Sequence, residues 1–456
     1  MLLLALLSLS VYVAIAHASG QPFTSGQLVN SNTLTIAGSS TVAPIAAEEA
    51  NQWQSYWNNL VSLNPSWGAD TVNTPVSLAG QGSGTAIPAI YGGTADIGEM
   101  SRPPNEGTEW TNLTSMQLWA VGIDSVAIVM SPDMSWFPSS LTTQQVADIF
   151  AQSPSVGGAA FVTWNDFFTR ENIPTTGITS AELSGSINRA VRDPTSGTFD
   201  CFNNYFAVPN NFQFEHKTNS VVDASQNMAS YQLCTANIDV YNAVHNGANF
   251  IGFISLGYLQ VYGGMIGLSI SYNIANLPSS TIAVSNPPTW GTPVSPTRDN
   301  VIYALSNYKD TAATGQYYAW RWLWEVTPST IPSTGPLLET GVWIAYMKEA
   351  GTTNSSTSDF VNDQAYIELD RDDMAGGQVI NGALGAHTPL PGQTQVFPDG
   401  KVNFRDLTYF VSAYVGYYNS GTYNPYADMN ADGHINFSDL KLFVSTYIAY
   451  FTTYVP

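Results

Sequence analysis

Three short turns in this chain carry the same chemical potential. They read GSSTVAP at 38–44, GQGSGT at 80–85 and RDPTSGT at 192–198, and each precedes a helix-like stretch. Backbone N–H groups at a helix N-terminus point at one spot and carry the positive end of the helix dipole. Serine and threonine hydroxyls add donors without bulk, and arginine adds a charged planar fork. Together these groups suit a buried oxyanion, and the candidates are Ser40, Thr41, Ser83, Arg192, Ser196, Gly197 and Thr198. Each turn alone is also an ordinary helix cap. GQGSGT does not place its glycines for a dinucleotide.

A second constellation lies near the C-terminus. Asp428, Asn430 and Asp432 alternate, Gly433 follows, His434 offers a backbone carbonyl, and Asn436 and Asp439 complete a twelve-residue loop. Oxygen donors at that spacing, with glycine at the sharp turn, match a calcium loop. The alternative is an Asp/Asn-rich turn with no metal. An earlier copy is weaker: Asp399, Asn403 and Asp406 match, but Gln395 and Phe397 hold the first two ligand positions, and phenylalanine cannot ligate. The copies DGKVNFRDLTYFVSAYV and DGHINFSDLKLFVSTYI start at Asp399 and Asp432. In each, apolar residues at i, i+3, i+4 and i+7 predict an amphipathic helix after the loop.

The elements that must position these groups alternate. A β-branched run at 33–36, a helix-like stretch at 45–63, strands near 75–79 and 94–101, and further strands at 119–130 and 250–259 give the rhythm of an α/β fold. The aromatic-rich segment 310–326, with Tyr317, Tyr318, Trp320, Trp322 and Trp324, is expected to be a core helix and not a ligand platform. Residues 370–394 are read as a linker.

Composition narrows the function. The chain has 456 residues and a net charge of −21, which disfavours nucleic acid and anionic membrane as partners. Salt screens that field over about 10 Å, so a buried anion feels mainly the donors touching it. Residues 1–18 form an apolar run ending Ala16-His17-Ala18, which reads as a secretory leader although no basic residue precedes it. An uncleaved anchor is the alternative. Cys201 and Cys234 can form a disulfide or stay as buried thiols, and export favours the bond. The five histidines are scattered and no G-x-S-x-G elbow is present, so phosphatase chemistry is disfavoured and no enzyme is expected.

In their order along the chain, GSSTVAP, GSGTAIPAIYGGTADIGEMSRP, AVGIDSVAIVM, RDPTSGTFDCF and IGFISLGYL resemble the phosphate-binding proteins of ABC importers over residues 33–369. The resemblance implies a type II periplasmic-binding-protein fold: lobe 1 at about 33–120 and 255–369, lobe 2 at about 121–254, an anion in the cleft, and an ABC permease as partner. It implies that Ser40, Thr41 and Ser83 donate from lobe 1, and Arg192, Ser196, Gly197 and Thr198 from lobe 2. Ser101 falls where some members carry an aspartate that accepts the proton of hydrogen phosphate. Asp124 is the candidate replacement acceptor, or else it caps nearby backbone. The repeat at 395–456 resembles a dockerin, a small all-α calcium-binding module that pairs with cohesins. The alternative function is a surface scaffold component with a vestigial anion site.

Overall fold

A computed structural model describes residues 33–67, 76–80, 82–102, 116–151, 154–194, 196–207, 231–272, 291–306, 317–328, 330–353 and 404–454, with isolated residues between them. The expected leader, the linker at 370–394, and Gln395, Asp399 and Asn403 lie outside the described residues.

In chain order the elements that matter here are β1 (Leu34–Gly38), α1 (Ala43–Leu63), β2 (Val76–Ala79), α2 (Ala86–Tyr91), β3 (Ile97–Met100), β4 (Met116–Met130), β5 (Ser140–Thr142), β6 (Asn188–Arg192), α3 (Gly197–Phe202), β7 (Tyr231–Cys234), α4 (Asn237–Asn246), β8 (Phe250–Ser255), β9 (Ile266–Gly267), β10 (Ser269–Ser271), β11 (Trp320–Pro328), β12 (Ile331–Pro332), α5 (Leu337–Thr353), α6 (Phe404–Ser420), β13 (Thr422–Tyr423) and α7 (Phe437–Tyr454). Nine strands form one sheet in the order β2-β1-β3-β11-β4-β8-β6-β7, with β9 added onto β4. Strands β1, β2 and β3 are parallel, as are β6, β7 and β8.

Strand β4 joins the two halves. Its fifteen residues extend about 50 Å. Residues 116–125 pair antiparallel with β11, and Val126–Met130 pair with β8. The β4–β11 register shifts between Leu323 and Trp324, so Val121 is the extra residue of a bulge.

Three expectations are corrected. The aromatic run is a strand, not a helix: Trp320, Trp322, Trp324 and Val326 share one core while Leu323 enters the other. The period of two is visible once polar Arg321 and Glu325 are counted as positions on the opposite face. The chain returns to the first half at β11, not near residue 255, because β9 pairs with Val129 and Met130 and β10 pairs with β5. The C-terminal repeat does form two helices, α6 and α7, but it does not stand apart. Strand β13 pairs with β12, and Phe410, Tyr423, Tyr426 and Phe443 share a core with Trp53, Trp57 and Trp343 of the first half. Tyr426 donates to the Ala120 carbonyl and accepts from its amide, at 3.0 and 2.5 Å, beside the β4 bulge.

Candidate oxyanion-binding site

The turn after β1, the turn after β6 and the start of β11 converge. Thr41 Oγ1 lies 3.3 Å from Thr198 Oγ1, linking the two halves. Arg192 Nη2 donates to Ser40 Oγ at 3.1 Å, and its Nη1 donates to Thr198 Oγ1 at 3.1 Å and to Asn237 Oδ1 at 2.7 Å. Its remaining donors reach the carbonyls of Thr235 and Cys234 at the end of β7. These bonds fix the guanidinium at the C-terminal end of β6. Arg192 is fully buried. Burial, and then the neighbouring positive charge of Arg321, push its pKa down to about 10, so it remains cationic at neutral pH.

Arg321 was not foreseen. It stands directly opposite Asp124 in the β11–β4 pairing, and both are buried. Its Nη2 bonds Asp124 Oδ2 at 2.6 Å, Thr198 Oγ1 at 3.0 Å and Thr41 Oγ1 at 3.3 Å, and Nε adds a 3.2 Å bond to Asp124. Asp124 Oδ1 accepts from the Ser255 hydroxyl at 2.7 Å. Arg321 Nη1 is buried with no partner. Among the described residues the hydrogen-bonded cluster therefore holds two guanidiniums and the Asp124 carboxylate, with the charge of Asp193 also acting on Arg192, and it has a surplus of donors. Such a cluster suits an anion.

The other candidates surround this cluster. Ser83 accepts from the Ser101 amide at 3.0 Å and lies 3.2 Å from the Ser101 hydroxyl. Ser39 donates to Ser101 Oγ at 2.8 Å and accepts from the amides of Thr41 and Val42. Ser196 caps α3 by accepting from Phe199 N. Gly197 presses against Ser101 so closely that a Cβ there would lie 2.2 Å from Ser101 Oγ. This close approach of the two halves requires glycine. Next to Ser101, Arg102 makes a two-pronged bond to Glu109 at 2.7 and 2.8 Å and reaches Asp200 of α3 at 3.7 Å. Ser39, Asn237, Ser255 and Arg321 were missed by sequence reasoning. Arg321 had a signal as an isolated cation inside an aromatic strand, and Ser39 had one as the first serine of the GSSTVAP turn.

Cys201 and Cys234 are free and buried, which corrects the favoured disulfide. They sit on α3 and at the end of β7, and burial pushes their thiols up to about 12 and 11.

The loop at 428–439 is largely closed on itself. Asp428 accepts from the amides of Asp432 and Gly433 and from the Tyr423 hydroxyl, and Asp432 accepts from the His434 amide. Asp439 accepts from the amides of Met429 and Asn436. Gly433 has a φ of +79° at the turn. Burial, followed by the charges of Asp432 and Asp439, holds the Asp428 carboxyl well above its usual range. Burial is also the main cause that lifts Asp439 to about 6. Among the described residues no three His, Cys, Asp or Glu side chains gather into a ready metal cluster. The donor types and mutual repulsion nonetheless fit a hard dication. Asp406 of the first copy is buried at the start of α6.

Residues 18–322 match the PBP superfamily domain. The chain belongs to the PBP superfamily. An uncharacterized lipoprotein of Mycoplasma genitalium is 25% identical over 300 residues, covering 61% of this chain and 74% of the relative. Among solved structures, an ABC-type phosphate transport receptor from Vibrio cholerae is 19% identical, covers 73% of this chain and 99% of its own, and superposes with a TM-score of 0.43. A phosphate-binding protein from Stenotrophomonas maltophilia is 12% identical, covers 74% and 90%, and has a TM-score of 0.42. The superfamily match ends inside β11, so the C-terminal repeat lies beyond it.

Proposed function

We propose that this PBP-superfamily protein is an extracytoplasmic solute-binding protein that captures a tetrahedral oxyanion, phosphate foremost, for delivery to an ABC-type permease. The observation that carries the reading is the meeting of Thr41 from one half with Thr198 and Arg192 from the other, beside Arg321 with a buried, unpartnered Nη1. Donors from both halves around one point let a bound anion hold the cleft closed. No nucleophile–base pair is needed for that role. Isothermal titration of anion-stripped protein with phosphate tests it. Saturable binding is expected, and silence with both phosphate and sulfate would refute it and leave surface attachment as the reading in front.

A second reading concerns the C-terminal repeat. Asp428, Asn430, Asp432, the His434 carbonyl, Asn436 and Asp439 would hold calcium, whose charge would relieve the repulsion among the buried aspartates. Tyr414, Val415 and Tyr418 of α6 and Val444 and Ile448 of α7 stay exposed, and that face would serve attachment to a cohesin or cell-envelope scaffold. Calcium-dependent retention on such a scaffold is the test, and retention that survives chelation would refute it.

A further inference from the structure

Resting on the oxyanion reading, we infer that this site reads the charge of a tetrahedral anion and not its proton, so that sulfate is a ligand alongside phosphate. To separate the two anions a site needs an acceptor aimed at the ligand. A free carboxylate accepts the P–OH of hydrogen phosphate and repels the fully ionised oxygens of sulfate.

Among the described residues Asp124 is the carboxylate whose hydrogen bonds tie it into the cluster, and those bonds are spent on Arg321 and Ser255. Arg321 stands between it and the threonine hydroxyls. Nη2 is 2.6 Å from Asp124 Oδ2 on one side and 3.0 and 3.3 Å from Thr198 and Thr41 on the other. Arg321 Nε takes a further position on Oδ2, and Ser255 occupies Oδ1 from β8. Asp124 is thus the counter-charge that holds Arg321 in place, a positioning residue behind the pocket. At Ser101 the group present is a hydroxyl, bonded by Ser39 and near Ser83. A hydroxyl can rotate to donate to any oxyanion oxygen, so it excludes neither ligand. Arg321 Nη1, buried and without a partner, adds a donor that an ionised oxygen satisfies and a P–OH does not need.

The test is titration calorimetry of the full-length, anion-stripped protein with sodium phosphate and with sodium sulfate, repeated on Asp124→Asn. The expected result is sulfate affinity within about tenfold of phosphate. In Asp124→Asn both affinities are expected to change by the same factor, because loss of the counter-charge misplaces Arg321 for either anion. Phosphate preferred by more than about a hundredfold overturns the inference, as does an Asp124→Asn variant that loses phosphate while keeping sulfate. Silence of the wild type with both anions removes the binding reading beneath it. Should Asp124→Asn fail to fold, the wild-type ratio alone still decides, and Arg321→Lys, which keeps the charge, provides the second variant. Its expected loss is equal for the two anions, and an unequal loss counts against the inference.

Discussion

Replacing Arg192 by alanine should strongly weaken anion capture while leaving the two halves folded. The guanidinium makes hydrogen bonds to Thr198, Asn237, Ser40, Thr235 and Cys234, which fix its direction, and it supplies a full buried positive charge. Truncating one partner of a buried, hydrogen-bonded charge pair costs about 2–5 kcal/mol. At tenfold per 1.4 kcal/mol the dissociation constant should rise roughly 30- to 4000-fold. Arg192→Lys should fall between, since it keeps the charge but loses the fork. Titration calorimetry gives the affinity, and circular dichroism confirms the fold. An alanine variant that is folded and binds phosphate within threefold of wild type would show that the convergence around Thr41 and Thr198 is not the anion site.

Other outcomes follow from the same geometry. Gly197→Ala should weaken anion binding without changing any charge, because its Cβ would sit 2.2 Å from Ser101 Oγ and hold the halves apart; unchanged affinity would count against a closed cleft. Tyr426→Phe should lower the stability of the whole molecule by about 1–3 kcal/mol in urea, by stripping the Ala120 amide of its partner at the bulge. A shift confined to the C-terminal helices would contradict the shared core. Glu99 and Glu325 face each other across β3 and β11, and burial lifts Glu99 to about 8 and Glu325 well above its usual range. Groups raised in the folded state stabilise it at low pH, so stability should fall as pH rises from the ordinary carboxylate range through about 8. Denaturation curves of Glu99→Gln should show that slope reduced, and an unchanged slope would refute the assignment. Thiol titration should find Cys201 and Cys234 unreactive in the native protein and two thiols after denaturation without reductant; no thiol titre would restore the disulfide.

Much of this protein was legible in its sequence. The Ser/Gly turns before helices, the alternation of strands and helices, and the loop–helix repeat at 428–454 are local features. Local periodicity and capping chemistry reveal them directly. That Ser40, Thr41, Arg192 and Thr198 come together was readable too, but only through the order of motifs along the chain. The tertiary structure decided the rest. Arg321 meets Thr41 across 280 residues and Asp124 across 197. Nothing local in WRWLWEV says that its arginine faces an aspartate in β4, because register across a sheet is set by topology and not by either strand alone. The same is true of Ser196, which caps its own helix, and of Ser83, whose hydroxyl holds Ser101. It is true again of the C-terminal repeat. Its amphipathic pattern showed an apolar face, and only folding showed that Phe410 and Phe443 of that face join the core of Trp53, Trp57 and Trp343 while Tyr414 and Val444 stay exposed. A sequence states which side chains need burial or a counter-charge, and long-range contacts decide what supplies them.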